Sequence, residues 1–314
     1  MSYIQESPFA IQIEMTEGCN RMCSFCGING IRKKAGDYKF MTLELATSVA
    51  WKIKESGWNS RIEFAMHGEP TLNPNCALII KIFSTILPKH QLMMTTNGTC
   101  LTKDNLTLLF ASGLTILAVD NYENTIAVET IKNWFDKSSL QVYSYPMESE
   151  GNPHRRQKKG VKFISLIEDI NGAVKGTHSS MNNHCGSAAP LNDKGVGKRC
   201  AKPFRELSIR WDGHVSGCCN DFRGVLKCGN VVIDTLPEIW MSERFEALRS
   251  CVYNGLRVLP PCKGCDATSY RVGCLPDKLG KRSYDKPTYA EYDIILLALD
   301  EIPLSPINKR PWEE

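Results

Sequence analysis

Over its first 170 residues the chain alternates between short apolar runs and amphipathic stretches, and this rhythm restricts the fold more than any other feature. Strands are expected at 10–16 (Ala-Ile-Gln-Ile-Glu-Met-Thr), 61–66, 91–96, 114–119, 140–146 and 161–167. Each is rich in β-branched or large apolar residues, as strands covered on both faces are. Helices are expected between them at 43–56, 75–87, 103–111 and 125–136, the first with Thr42 as its N-cap. Strand–helix alternation at this spacing builds a parallel sheet wrapped by helices, an α/β fold. About six such units make a partial (β/α)6 barrel, whose ligand sites gather at the carboxyl ends of the strands.

The first expected strand runs into Cys19, Cys23 and Cys26, spaced by three residues and then two. Three thiolates so close together can hold three irons of a [4Fe-4S] cube and leave the fourth iron open to a small molecule. A zinc knuckle lacking a nearby fourth ligand and a disulfide framework are the other readings of such spacing. The whole chain holds 14 cysteines, yet its start has neither a basic segment nor an apolar core of a secretory signal. That combination points to metal ligation in a reducing compartment, with cytoplasmic residence as the expectation. The chain has no apolar run of about 18 residues, so no membrane span is expected. The net charge of +4 is mild and does not by itself call for a nucleic-acid partner.

The Cys19-Cys23-Cys26 spacing resembles the cluster motif of the radical S-adenosylmethionine (SAM) enzymes. Met66-His67-Gly68-Glu69-Pro70 resembles the Gly-Gly-Glu-Pro motif of the same family, with His67 in place of the first glycine. Thr95-Thr96-Asn97-Gly98-Thr99 resembles the Thr-Asn-Gly turn found after the third strand there. The resemblance implies a cluster on the three cysteines and SAM chelated to its open iron. It further implies that His67, Gly68 and Glu69 receive the SAM amino group, that Asn97 faces SAM or shapes its loop, and that Phe25 lies near the adenine. Taken without the family, Gly-Glu-Pro and Asn-Gly are ordinary turn sequences.

A second cysteine block follows, with Cys200, Cys218 and the pair Cys262-Lys263-Gly264-Cys265. Together with Ile209-Arg210-Trp211-Asp212-Gly213 and Glu238-Ile239-Trp240, it resembles the SPASM domain of radical SAM enzymes. Only Cys274 comes after Cys265, too few for two clusters, so the shortened twitch form with one auxiliary [4Fe-4S] cluster on Cys200, Cys218, Cys262 and Cys265 fits better. Zinc on the same four thiols is the alternative. Cys219 is expected to point elsewhere, Cys274 to substitute for a ligand or belong to an incomplete second site, and Cys76, Cys100, Cys185, Cys228 and Cys251 to be small buried residues.

The expected organisation is a radical SAM barrel over 1–170, a linker rich in Gly, Ser and Asn over 171–199, a twitch/SPASM-like domain over 200–275 and an extension over 276–314 with a helix near 288–300. The basic run His154-Arg155-Arg156-Gln157-Lys158-Lys159 could grip a phosphate, a carboxylate or a nucleic-acid backbone, but a solvated loop is favoured. Asp120, Asn121 and Tyr122 close the fourth strand and could line a substrate pocket, with Tyr122 packing under the following helix as the equal alternative.

The resemblance implies an enzyme that cleaves SAM reductively to a 5′-deoxyadenosyl radical and abstracts hydrogen from a small-molecule or modified-biomolecule substrate, the expected outcome being oxidation. It also implies an external electron donor such as flavodoxin or ferredoxin. A radical isomerase acting on an amino-acid-modified nucleobase is the alternative. A peptide-modifying maturase is disfavoured, because the cluster motif begins at residue 19.

Overall fold

The computed structural model describes residues 7–23, 25–31, 36–122, 128–135, 140–146, 162–168, 184, 185, 187, 197 and 199–267. The basic run, Cys274, the extension and nearly all of the expected linker lie outside them.

All six expected strands form. They are β1 (Ala10–Ile13), β4 (Arg61–Phe64), β5 (Leu92–Thr96), β6 (Ile116–Asp120), β7 (Gln141–Pro146) and β8 (Phe163–Glu168). They lie parallel in the order β1-β4-β5-β6-β8-β7, an open sheet in which the last two strands exchange places. Between them pack α1 (Leu43–Ser56), α2 (Cys76–Ile86), α3 (Lys103–Ala111) and α4 (Val128–Trp134). The helix starts follow their caps: Thr42 Oγ1 accepts from Leu45 N in α1, and Thr102 with Asn105 forms a capping box on α3. Gly57 ends α1 at φ 69, where a residue bearing a Cβ would be strained.

The core lies between sheet and helices. Phe64 on β4 meets Phe83 on α2 edge-to-face, with ring centroids 5.2 Å apart and both rings fully buried. Truncating either to Ala would cost about 3–5 kcal/mol through lost burial and the cavity left behind.

Two features go beyond the expected pattern. A separate hairpin, β2 (Thr16–Cys19) against β3 (Gly36–Phe40), follows β1, so the cysteine loop rises from this hairpin rather than directly from the first strand. The later part of the chain also extends the barrel sheet. β9 (Glu206–Ile209) pairs in parallel with β1, and β10 (His214–Ser216) and β11 (Lys227–Asn230) continue antiparallel beyond it.

Around this edge pack α5 (Leu236–Trp240), α6 (Glu243–Tyr253) and the short α7 (Pro260–Lys263). Trp240 is fully buried against Trp58, which follows α1, and the Arg249 guanidinium lies over its ring at 4.1 Å. Arg249 Nη1 also donates to Trp240 O and to Glu246 Oε1, and Nε donates to Pro203 O, which offsets part of the cost of burying the cation. No helix among the described residues is long and apolar enough to cross a membrane.

Candidate active site and a second cysteine centre

The carboxyl ends of β1, β4, β5 and β6 bring the first three sequence motifs together. Cys19 closes β2, and Cys23 and Cys26 share one tight turn: Cys26 N donates to Cys23 O at 2.9 Å, and Asn29 Nδ2 donates to the same oxygen at 2.6 Å. All three thiols are half-buried.

The turn rests on the loop after β4. Glu69 N donates to Gly18 O at 2.9 Å, and Gly18 and Gly68 form a parallel bridge. Gly68 has φ +130, and a Cβ there would lie 2.4 Å from both Gly18 O and Thr16 O. Only glycine permits this approach. From the loop after β5, Asn97 Nδ2 donates to Cys19 Sγ at 3.4 Å and to Asn20 Oδ1 at 2.9 Å, and Asn20 Nδ2 returns a bond to Thr99 Oγ1 at 2.7 Å.

Glu69 is buried beneath these loops. Its carboxylate accepts from Asn97 N, Thr71 N, Thr71 Oγ1 and Thr96 Oγ1. Burial nevertheless holds its pKa above the usual carboxylate value, outweighing the four donors. On the opposite wall Phe25 packs against Tyr122 at 5.8 Å, and the Arg21 guanidinium lies 4.9 Å over the Tyr122 ring. Burial pushes the Tyr122 hydroxyl pKa up, with Asp120 and the thiols of Cys23, Cys26 and Cys19 adding to the effect.

His67 occupies a different environment from its motif neighbours. Nδ1 lies 2.8 Å from Glu14 Oε1 and Nε2 lies 2.8 Å from Cys219 O, so both nitrogens are engaged within the protein. The ring is buried against Phe222 at 4.2 Å. Arg210 pairs with Glu14 and Glu17, and Lys39 also reaches Glu17. Burial alone would raise the Glu17 pKa, but Arg210 and Lys39 hold it below the ordinary value. Met66, just before His67, takes φ +149, a backbone state that favours glycine. The imidazole thus ties the loop after β4 to the turn after β10.

The second cysteine block also converges. Cys218 lies in the turn after β10, Cys262 on α7, and Cys265 N donates to Cys262 O at 3.1 Å. Cys200 and Cys262 lie in an apolar cluster with Phe204, Leu226, Leu248 and Val252. Burial raises the Cys262 thiol pKa, with Cys218, Cys265 and Cys200 adding to the rise and Arg257 opposing it.

Cys185 influences the same thiols. Cys185 hydrogen-bonds to Cys218 and Cys265. It lowers the pKa of both, that of Cys265 to about 7. Cys185 and Cys100 are half-buried rather than buried, whereas Cys76, Cys228 and Cys251 are buried as expected. Cys185 comes from a stretch rich in Gly, Ser and Asn, where no periodicity could have singled it out.

Cys219 contacts Cys218 as well, while Lys202 Nζ lies 2.9 Å from its sulfur and 3.1 Å from Glu206 Oε2. Burial alone would pull the Lys202 pKa down, but Cys219 and Glu206 carry it well above the ordinary lysine value.

Both donor sets suit iron–sulfur clusters. The first offers three thiols on one loop, with an amide hydrogen bond to a sulfur as iron–sulfur ligands commonly receive. The second offers four thiols in mostly apolar surroundings. Among the described residues no three His, Cys, Asp or Glu side chains are grouped so as to hold a single metal ion.

Known proteins agree with this arrangement. The profile of the radical SAM superfamily matches residues 13–120, and that of an iron-sulfur cluster-binding domain, SPASM, matches residues 200–266. The chain is 22% identical to the S-adenosyl-L-methionine-dependent 2-deoxy-scyllo-inosamine dehydrogenase of Niallia circulans over 265 residues, covering 83% of this chain and 94% of that protein. It is 31% identical to the GTP 3′,8-cyclase of Haemophilus influenzae (strain PittEE) over 100 residues, 32% of this chain and 29% of the cyclase. Among solved structures, BtrN in complex with AdoMet and 2-DOIA superposes with a TM-score of 0.62 at 22% identity, covering 84% of this chain and 94% of that one.

Proposed function

We propose that this chain, a radical SAM superfamily enzyme with a C-terminal SPASM domain, oxidises a hydroxylated small molecule of the aminocyclitol kind. The class itself generates a radical with SAM and iron–sulfur chemistry to modify a substrate. The observation that carries the finer reading is the reach of the likeness to the dehydrogenase, which covers 83% of this chain and 94% of that protein. The local likeness to the cyclase is confined to 100 residues and speaks for shared cofactor handling.

In this reading Cys19, Cys23 and Cys26 hold the SAM-binding [4Fe-4S] cluster, and Cys200, Cys218, Cys262 and Cys265 hold the auxiliary one. Bound SAM with its cluster supplies the radical that removes a hydrogen atom, and the auxiliary cluster supplies an acceptor for the second electron of an oxidation. A carbinol that loses a hydrogen atom, a proton and an electron becomes a carbonyl. The chain's own part is to bind and shield. The Glu69 carboxylate and the backbone at Gly68 face the SAM ammonium, an acid suiting a cation. Asn97 fixes Cys19 by its bond to the sulfur. Phe25 and Tyr122 form an aromatic wall beside the cysteine loop that flanks the adenine. His67 acts from behind, through the position of its loop. An external electron donor such as a flavodoxin or ferredoxin would serve the first cluster.

Anaerobic reconstitution tests the reading. About eight irons per chain and release of 5′-deoxyadenosine with SAM and reductant are expected. With a panel of aminocyclitols, one carbonyl product per 5′-deoxyadenosine is expected. A product isomeric with its substrate would replace oxidation by rearrangement.

A further inference from the structure

Two buried carboxylates stand beside the first cysteine loop. Glu14 follows β1, and Glu17 lies on β2, two residues before Cys19. The cysteine hairpin itself brings Lys39 to Glu17 at 2.5 Å, but that side chain is 35% exposed. The buried counter-charge comes from the second cysteine block. Arg210 directly follows β9 and is itself buried. Its Nη2 donates to Glu17 Oε2, and its Nε lies 3.7 Å from Glu14 Oε2. Its Nη1 lies 3.3 Å from His67 Nδ1 and donates to Asp221 O at 3.2 Å, three residues past Cys218. The backbone beneath is fixed, since Arg210 N donates to His214 O at 2.8 Å. The turn after β10 closes over the head group: Gly224 takes φ +65, and a Cβ there would lie 3.3 Å from Arg210 Cζ. Asp221 anchors that turn, accepting from Ser216 Oγ at 3.0 Å and from Leu226 N at 2.8 Å. One planar guanidinium, with donors in a rigid fork, thus meets groups from β2, from the loops after β1 and β4, and from the turn after β10.

We propose that Arg210 is a positioning residue for SAM binding, a cation supplied by the second cysteine block that holds Glu17, ahead of Cys19, and His67, ahead of Gly68, in fixed relation. Arg210 does not touch SAM; it acts through those two residues, which lead into the loop of the three thiols and the loop that receives the SAM ammonium. Removing the cation leaves Glu17 and Glu14 as buried charges short of their partner. Glu17 regains water only by displacing the segment that runs into Cys19. Loss of Arg210 therefore loosens the SAM site while every thiol is kept. The proposal rests on the assignment of SAM to the cluster of Cys19, Cys23 and Cys26, and not on the identity of the substrate.

The test is 5′-deoxyadenosine release by reconstituted protein over a range of SAM concentrations, with iron counted on each sample. Arg210→Met, uncharged and also unbranched, is expected to keep about eight irons and to raise KM for SAM about tenfold, with kcat changed less. Arg210→Lys, which keeps the charge and loses the fork, is expected to recover part of the change. Arg210→Met combined with Glu17→Gln removes the stranded carboxylate and is also expected to recover part of it, which lost packing alone would not allow. An unchanged KM in Arg210→Met with full iron would overturn the proposal, as would a double variant no better than Arg210→Met. Where Arg210→Met alone does not fold, the double variant is compared with Glu17→Gln, and equal KM values overturn the proposal. Full iron without SAM cleavage in the unmodified protein would instead remove the SAM site, and the proposal with it.

Discussion

His67 Nε2 lies 2.8 Å from the carbonyl oxygen of Cys219, the residue after Cys218. A side chain from the SAM-motif loop thus reaches the backbone of the second cysteine block, while its other nitrogen meets the buried Glu14 carboxylate. His67→Ala would leave the Cys219 carbonyl without this partner, at a cost of about 1–3 kcal/mol. Urea unfolding of the reconstituted protein measures this. Unchanged stability together with weakened SAM binding would instead assign His67 to the cofactor directly.

Gly68→Ala places a methyl group 2.4 Å from Gly18 O and Thr16 O at a backbone angle suited to glycine. The cysteine loop must move, and the variant is expected to reconstitute with about four irons fewer than the unmodified protein. Full iron content would show that the loop accommodates the methyl group.

Asn97→Ala removes the amide hydrogen bond to Cys19 Sγ while sparing every thiol. Loss of such an outer partner is expected to slow 5′-deoxyadenosine release by about tenfold with iron content unchanged. A rate equal to that of the unmodified protein would reduce Asn97 to a turn residue.

The raised pKa of Glu69 gives SAM binding a pH dependence. Contact with the SAM ammonium needs the carboxylate, so affinity should strengthen as pH rises through the raised value and level off above it. Without SAM the linkage to folding has the opposite sign. The carboxyl binds its proton more tightly in the folded chain, so its stabilising contribution is present below the unfolded pKa and lost as pH rises through the folded one. Glu69→Gln should bind SAM more weakly and without this dependence. Equilibrium dialysis across pH checks both, and identical profiles would remove Glu69 from the cofactor.

Alanine at Cys19, Cys23 or Cys26 should abolish 5′-deoxyadenosine formation. Alanine at Cys200, Cys218, Cys262 or Cys265 should instead cost about four irons and leave SAM cleavage intact. Persistent cleavage in the first set, or unchanged iron in the second, would break the corresponding assignment.

The sequence pattern carried the local elements well. The 43–56 helix matches α1 residue for residue, because Thr42 and Gly57 mark its ends chemically. The 140–146 and 161–167 runs match β7 and β8 closely, but their exchanged order in the sheet depends on a crossover that apolar periodicity does not encode. The β2–β3 hairpin escaped because its strands are short and the cysteine loop separates them. His67 was legible as part of a motif, yet its partners Glu14, Arg210 and Cys219 come from remote parts of the chain. Cys185 had no local signal at all, since a thiol's role is set by what the fold places beside it.

The parallel pairing of β9 with β1 has a consequence for biosynthesis. Ala10 aligns with Glu206, so nearly two hundred residues separate the partners. Until β9 has left the ribosome, one side of β1 stays an open template for strands of other chains. The long loop to be closed makes this late pairing slow relative to the local β–α units. Cutting the chain before β9 would not release a finished barrel but would leave that edge permanently bare. The first cysteine loop therefore sits beside a sheet edge that is covered only once the second cysteine block has been made.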